Sequence, residues 1–333
     1  MVTYQAGQVV LALDLVRQAI ALQPNAALFE SNLAEMSRQQ GRVAEAIEHG
    51  RRSIAIDPTM PSAHSNLGIA LFDAGLYEEA EQCHLQALGL APNLLQSLNN
   101  MGSIERVRQN STKALEWYRN ALSINPSYLE ALTNIGAVLL EMERPEEAID
   151  PLVKVLNLSA NSPEALCNLG LAYYKLNDFE KAISLLNRSL ESRPGYPEAV
   201  IGLSQALLDS GKIVEAEQFL SNHVQQISPR ASAWSLLGTI YTEQAKPDQA
   251  ERAYQIALEI DPHHPEALTG LANLRLEAGD INASESLLLN ALKQDPENLG
   301  ALFHLVQIKK VNPGDSNLIA LESMLFKKDG LAA

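Results

Sequence analysis

Cysteine, aromatic residues and basic residues are all scarce in this sequence. Only two of its 333 residues are cysteines, Cys83 and Cys167, and they lie far apart. Two distant cysteines form neither a disulfide framework nor a metal-binding motif. The seven histidines show no ligand spacing, and the HExxH, Walker, GxSxG and GxGxxG motifs are absent. We therefore expect no catalytic residues, no metal and no cofactor, and we predict that the chain is not an enzyme unless it is a fragment of one.

Basic residues are too few and too scattered for a nucleic-acid site. The chain has 25 Lys and Arg against 40 Asp and Glu, a formal net charge of −15, and phosphate binding would need a basic stripe. The acidity has two interpretations: it keeps the protein soluble, or it gives a preference for basic or neutral partner segments. We predict a protein or peptide partner and no nucleic acid.

Long hydrophobic runs are also missing. The apolar segment at residues 9–13 is interrupted by Asp14, and no basic segment precedes it. This pattern is neither a signal peptide nor a membrane span. We predict a cytoplasmic protein without a membrane partner.

Aromatic residues make up 5% of the chain although 46% of it is hydrophobic. The apolar content therefore consists mainly of small and aliphatic residues, which suit close packing between helices. No segment alternates between apolar and polar residues in the way a half-buried strand does. This composition predicts an all-α fold.

Proline recurs with a period of 34 residues. The series is Pro24, Pro58, Pro92, Pro126, Pro194, Pro262 and Pro296, and the two skipped places hold Ala160 and Ser228. We number each repeat so that this proline is position 32, and the repeats then start at residue 27 and every 34 residues thereafter. A fixed period of this length indicates an array of one small structural unit.

Other positions repeat with the same period. Position 7 is apolar, position 8 is small, position 20 is alanine or serine, and position 15 is often glycine. The residues at position 8 are Ala34, Gly68, Gly102, Gly136, Gly170, Ser204, Gly238 and Ala272. We expect two helices of each repeat to cross closely at position 8, and the first helix to end at position 15, where glycine adopts a left-handed conformation most readily.

This pattern resembles the tetratricopeptide repeat (TPR). The resemblance implies an all-α, right-handed TPR superhelix (α-solenoid) of antiparallel helix pairs. Residues 1–26 would be a partial repeat, mainly its second helix, residues 27–298 eight full repeats of 34 residues, and residues 299–333 a partial repeat with a C-terminal capping helix. Because residue 1 falls inside a first helix, we expect either a longer native array or a partner at this edge, including self-association through repeat ends.

Asparagine occupies position 6 in five consecutive repeats. These residues are Asn32, Asn66, Asn100, Asn134 and Asn168. In the TPR family positions 2, 5, 6, 9, 12 and 13 of first helices face the concave side. Each carboxamide offers a donor and an acceptor, so the row either binds the backbone of an extended peptide or braces neighbouring helices. The row is similar to the asparagines in the TPR region of O-linked N-acetylglucosamine transferases, which implies a peptide-binding role.

The segment of residues 303–315 resembles bacterial proteins in which TPRs precede a sulfotransferase domain. The function that follows from the sequence is a non-catalytic protein–protein interaction scaffold, which binds an extended peptide or a partner protein in its concave groove. The alternative is the substrate-recruiting N-terminal arm of a larger sulfotransferase or glycosyltransferase whose catalytic domain is not in this chain.

Overall fold

The structure is a computed structural model that describes residues 25–227 and 229–308, together with the single positions 15, 16, 18, 22, 23, 318, 319 and 323. Within these residues there are seventeen α-helices and no strand, so the prediction of an all-α fold is confirmed. Contacts divide the chain into two compact units, unit 1 (Met1–Ala160) and unit 2 (Asn161–Ala333). The predicted capping helix and most of the predicted partial repeat at residues 1–26 lie outside the described residues.

Unit 1 contains eight described helices in four pairs. They are α1 (Ala27–Gln39), α2 (Val43–Ile56), α3 (Pro61–Asp73), α4 (Tyr77–Leu90), α5 (Leu95–Val107), α6 (Ser111–Ile124), α7 (Leu129–Glu141) and α8 (Pro145–Leu158). Each first helix packs against its own second helix, and α1, α3 and α5 also pack against the next first helix in the unit. Helix α8 contains Pro151 in its interior and continues to Leu158.

Unit 2 contains nine described helices. They are α9 (Pro163–Lys175), α10 (Phe179–Ser192), α11 (Pro197–Asp209), α12 (Ile213–His223), α13 (Ala231–Glu243), α14 (Pro247–Ile260), α15 (Pro265–Glu277), α16 (Ile281–Gln294) and α17 (Leu299–Ile308). Helix α12 is the shortest second helix, with 11 residues. The non-helical segment after it buries Val224 and Ile227, which take the place of a last turn of helix in the core of this repeat.

The small residues at position 8 accommodate the side chain at position 24 of the second helix. A Cβ atom added to Gly102 would lie 2.5 Å from Cε1 of Tyr118, and one added to Gly136 would lie 2.6 Å from Cδ2 of Leu152. Tyr118 and Leu152 are themselves fully buried. The requirement for a small residue therefore comes from a large side chain of the partner helix that lies over position 8.

Each pair is closed by a left-handed residue at position 15. Gly41 has φ +73°, its N–H donates to the carbonyl of Arg38 (2.9 Å), and the N–H of Arg42 donates to the carbonyl of Ser37 (3.0 Å). This is the Schellman pattern that ends a helix. Gln109, Glu143, Asn177 and Ala245 adopt the same conformation, with φ between 54° and 62°, so the turn persists where glycine is missing.

Four of the repeating prolines, Pro58, Pro126, Pro262 and Pro296, lie in turns that an acidic or amide side chain closes. Asp57 Oδ1 accepts a hydrogen bond from the N–H of Thr59 at 2.9 Å, and Asp261 Oδ1 accepts from the N–H of His263 at 3.0 Å. Proline between these residues fixes φ and needs no donor. The turn then delivers the chain to the next first helix, which sets the period of the array.

The cores of the units contain one tryptophan each. Trp117 packs against a buried cluster of unit 1 that includes Leu67, Leu71 and Met101. Trp234, on α13, packs against two buried clusters of unit 2.

Candidate functional site on the first helices

The candidate site is the groove face, which we define as positions 2, 5, 6, 9, 12 and 13 of the first helices. Within each unit, consecutive first helices pack side by side. Side chains on this face bond across that contact, in most cases between residues 35 apart in sequence; the bond from Ser65 to Gln96 joins residues 31 apart. The face is therefore a continuous surface in each unit, built from one helix per repeat.

Two of the predicted asparagines brace adjacent helices. Asn66 Nδ2 donates to the hydroxyl of Ser31 at 3.0 Å, and Asn134 Nδ2 donates to Oδ1 of Asn99 at 3.0 Å. Both partners occupy position 5 of the preceding repeat. Each amide therefore uses its nitrogen to bond the preceding helix. Asn66 and Asn134 are only partly buried.

The other three predicted asparagines have a different environment. Asn32, Asn100 and Asn168 are also partly buried, and among the described residues their side chains make no hydrogen bond. Asn32 and Asn100 lie in unit 1 with the two bracing asparagines, whereas Asn168 lies in unit 2. Position 6 thus combines bracing amides with amides whose donors and acceptors are open to a ligand.

The asparagine row stops in unit 2 because other side chains occupy its space. A Cβ atom at Gly202 would lie 2.8 Å from Cδ2 of Leu171, and one at Gly270 would lie 2.3 Å from Cζ of Tyr254. Leu236, the position-6 residue between them, is buried. An asparagine does not fit at Gly202 or Gly270 unless these neighbours move.

A second row of contacts joins position 12 to position 13 of the next repeat. In unit 1, Arg38 Nη1 donates to Asp73 Oδ2 at 3.0 Å, and Arg106 Nε donates to Glu141 Oε1 at 2.9 Å. These ion pairs were not predicted from the sequence. In the sequence, such a pair can be recognised as two oppositely charged residues that lie 35 positions apart.

In unit 2 the same row contains a neutral donor. The hydroxyl of Tyr174 donates to Asp209 Oδ2 at 2.6 Å. Burial, and then the Asp209 carboxylate, raise the pKa of Tyr174, so the phenol keeps its proton. Asp209 also accepts from Nε2 of Gln205 at 3.0 Å, which leaves its negative charge without a cationic partner.

Both units have concave depressions on this face. The depression in unit 2 has a volume of about 300 Å³ and lies between α11, α13 and α15. It is lined by Ile201, Gln205, Ser232, Ser235, Leu236, Thr239, His264 and Glu266. In unit 1 a depression of about 690 Å³ is lined by Phe72, Ser103, Arg106, Val107, Gln109, Ser111 and Glu141.

The described residues offer little reactive chemistry. Burial raises the pKa of the Cys83 thiol to about 11 and that of Cys167 to about 12, so neither is a thiolate nucleophile at neutral pH. Over the described ranges no group of three His, Cys, Asp or Glu side chains is arranged to hold a metal ion. No helix in the same ranges is long and apolar enough to cross a membrane.

A surface built from stacked helix pairs is typical of α-helical repeat proteins. The matching family models identify the type of repeat. Family models described as tetratricopeptide repeat match residues 63–91, 93–161, 131–195, 173–240 and 241–307, and one described as TPR repeat matches residues 34–75. The chain therefore belongs to the tetratricopeptide repeat family, whose members generally mediate protein–protein interaction.

Individual relatives support the fold and cover parts of the chain. Protein NPGR2 of Arabidopsis thaliana is 32% identical over 108 residues, which are 31% of this chain and 14% of NPGR2. The chain thus spans a small part of that relative. A TPR protein from Parabacteroides merdae ATCC 43184 is 18% identical, with a TM-score of 0.59 over 75% of this chain and 99% of that one. The APC/C hetero-tetramer Cut9–Hcn1 contains a chain that is 15% identical, with a TM-score of 0.68 over 90% of this chain and 58% of that one.

Proposed function

We propose that this protein is a non-catalytic scaffold that binds an extended segment of a partner protein along its groove face. The observation that carries the proposal is the row of partly buried carboxamides in unit 1, where Asn32 and Asn100 have unused donors and acceptors. Asn168 offers the same groups within unit 2. Asn66 and Asn134 take part through their side-chain oxygens, because their nitrogens already brace the helices.

The spacing of the row suits an extended chain. Packed helices lie roughly 8–10 Å apart, and an extended peptide rises about 3.3 Å per residue. One asparagine therefore meets about every third residue of the ligand. A carboxamide bonds the peptide N–H and C=O without recognising the side chain, so the asparagines hold a segment and other groove positions select its sequence.

The alternative function, the substrate-recruiting arm of a larger sulfotransferase or glycosyltransferase, stays a prediction. Part of the segment that suggests it, residues 309–315, lies outside the described residues.

The test of the proposal uses a peptide selected on the full chain from a random twelve-residue display library. Its affinity is measured by fluorescence anisotropy for the wild type, for Asn100→Ala and for the triple variant Asn66→Ala, Asn100→Ala and Asn134→Ala. A neutral hydrogen bond contributes about 0.5–1.5 kcal/mol, so Asn100→Ala should weaken binding several-fold at an unchanged melting temperature. The triple variant should lose on the order of 2–4 kcal/mol of binding free energy if the contributions roughly add.

The matched control is Asn120→Ala, on the exposed side of the second helix in the same repeat as Asn100. It should change neither the affinity nor the melting temperature. If the triple variant melts several degrees lower but keeps its affinity for the peptide, the asparagines only brace the helices and the proposal is wrong.

A further inference from the structure

Among the described residues, the acidic residues at position 13 form ion pairs in unit 1 but not in unit 2. In unit 1 the acids at this position, Asp73 and Glu141, are paired with Arg38 and Arg106. In unit 2 the acids are Asp209, Glu243 and Glu277, and all three are exposed. We call these three residues the acid row.

No cation neutralises the acid row within the described residues. Position 12, which supplies arginine in unit 1, is Tyr174, Leu208 and Thr242 in unit 2. Asp209 accepts from Tyr174 and Gln205, and Glu277 accepts from Nδ2 of Asn273 at 3.2 Å. These donors are neutral, so the negative charges of the row remain available to a ligand.

The acid row meets the concave depression of unit 2 at Asp209. Gln205 lines the depression and donates to Asp209, which joins the two features on α11. Apolar side chains of Ile201 and Leu236 contribute to the lining, and Glu266 adds a carboxylate to it. A depression with apolar and acidic side chains, joined at Asp209 to the acid row, is complementary to a segment that carries both apolar and cationic side chains.

One polar group inside the depression lacks a partner. Ser235 is 2% exposed and lines the depression, and its hydroxyl makes no hydrogen bond among the described residues. The hydroxyl oxygen is not among the buried polar atoms that lack a hydrogen-bond partner, so it is open to the depression. A donor or acceptor of a bound ligand would reach it there.

We propose that the groove face of unit 2 binds a basic protein segment, with Lys or Arg at about every third residue and small apolar residues between them. This inference rests on the proposed function and adds the chemistry of the partner. The spacing follows from the acid row, because its residues recur once per helix pair and the helices lie roughly 8–10 Å apart, about three residues of an extended chain. An acidic segment would be repelled by the same row.

The probes are fluorescein-labelled twelve-residue peptides with one apolar framework. Every third residue is lysine in the first, serine in the second and glutamate in the third, and the fourth has the composition of the first with its lysines adjacent. Anisotropy titrations with the full chain at 50 mM and 500 mM salt should give the tightest binding for the spaced-lysine peptide. Its advantage should shrink at high salt, because exposed charges are screened.

The variant that tests the acid row is Asp209→Asn, Glu243→Gln and Glu277→Gln. Exposed charge pairs each contribute little, so the loss of all three should weaken the spaced-lysine peptide about tenfold and leave the serine peptide unchanged. The charge-matched control is Glu191→Gln, Glu215→Gln and Glu259→Gln, three exposed acids on second helices of unit 2 and outside the groove face, and it should leave both affinities as they are. Circular dichroism should show wild-type helix content for both variants.

Ser232→Trp distinguishes a failure of groove binding in unit 2 from a failure of the inference about a basic partner. Ser232 is exposed at the depression, and an indole there would fill it. If the lysine and serine peptides bind equally and Ser232→Trp weakens both, the inference about a basic partner is overturned and groove binding stands. If Ser232→Trp weakens neither peptide, or no peptide binds, groove binding in unit 2 fails and the inference fails with it.

Discussion

At the scale of single residues, His84 is a titratable side chain that lies in the core with one ring nitrogen unbonded. Its side chain is fully buried at position 24, where it lies over Gly68, and Nε2 has no hydrogen-bond partner. Nδ1 lies 3.3 Å from the hydroxyl of Ser97. Burial lowers the pKa of His84 to about 4, so the folded protein keeps this imidazole neutral.

We predict that His84 makes the protein less stable in acid. An unfolded chain protonates histidine below a pH of about 6.5, whereas the folded state resists protonation down to about pH 4. Between these values the unfolded state binds the additional proton, so the free energy of unfolding falls as the pH falls. The loss is roughly 1.4 kcal/mol per pH unit, about 3 kcal/mol over the window.

His84→Leu tests this prediction, because leucine occupies position 24 over glycine elsewhere, as Leu152 does over Gly136. Urea unfolding of the wild type and the variant between pH 4 and pH 7 should diverge as the pH falls, with the variant the more stable. The exposed His263 supplies the control, and His263→Gln should follow the wild type. Parallel curves for wild type and His84→Leu would contradict the prediction.

The two thiols should differ in how a reagent reaches them, although both resist ionisation. Because burial raises the pKa of Cys167 to about 12 and that of Cys83 to about 11, both are protonated at pH 8. We expect Cys167, which is fully buried, to react with a chromogenic disulfide reagent only as fast as the protein unfolds. Cys83 should react slowly from the folded state. Absorbance traces with and without guanidinium, recorded for Cys83→Ser and Cys167→Ser, assign each phase, and a fast phase from Cys167 would refute the expectation.

At the scale of helices and turns, the left-handed residues of position 15 carry a measurable cost. A non-glycine residue in this conformation costs roughly 1–2 kcal/mol. Gln109 has φ 62°, so Gln109→Gly should raise the free energy of unfolding by about 1 kcal/mol, less than the full cost because glycine also loses more entropy on folding.

The control is Glu116→Gly, which places the same residue at an exposed site inside α6 of the same repeat. Glycine inside a helix costs roughly 0.5–1 kcal/mol, so this variant should be destabilised. Chemical denaturation of both variants gives the sign directly. A loss of stability in Gln109→Gly would show that the glutamine side chain contributes more than the strain costs.

The helix pairs could be predicted from sequence because the residues at positions 7, 8 and 20 each meet a packing requirement within a single helix pair. The contacts between repeats were harder to predict. Whether Asn66 binds a peptide or bonds to Ser31 depends on how far one helix is displaced along the next, and the period of 34 does not contain that displacement. The end of the asparagine row at Gly270 was visible as a sequence change, but its cause, the ring of Tyr254, is a contact in space.

At the scale of the whole molecule, a repeat array is stabilised mainly by contacts between neighbouring repeats. Deleting residues 95–128 removes one complete repeat and joins position 34 to position 1 of the next. We predict that this shortened chain keeps a helical circular-dichroism spectrum and a cooperative melt, at a lower melting temperature. The joined repeats present Asn134 to Ser65, a hydroxyl acceptor like the Ser31 that Asn66 uses.

The control deletion removes residues 95–111, half of that length, and so joins a second helix of one repeat to a second helix of the next. It should give a poorly helical or aggregated chain. Equal behaviour of the two deletions would mean that the period does not govern the assembly of the fold.

The distribution of tryptophan gives the protein an optical probe in each unit. Trp234 lies next to Ser235 in the sequence, on the helix that supplies four side chains to the depression of unit 2. Trp117 lies on a second helix of unit 1. A Trp117→Phe variant would leave one emitter beside the proposed binding region, so unlabelled peptides could be titrated by its emission. The complementary Trp234→Phe variant would report on unit 1 and show whether the same titration reaches it.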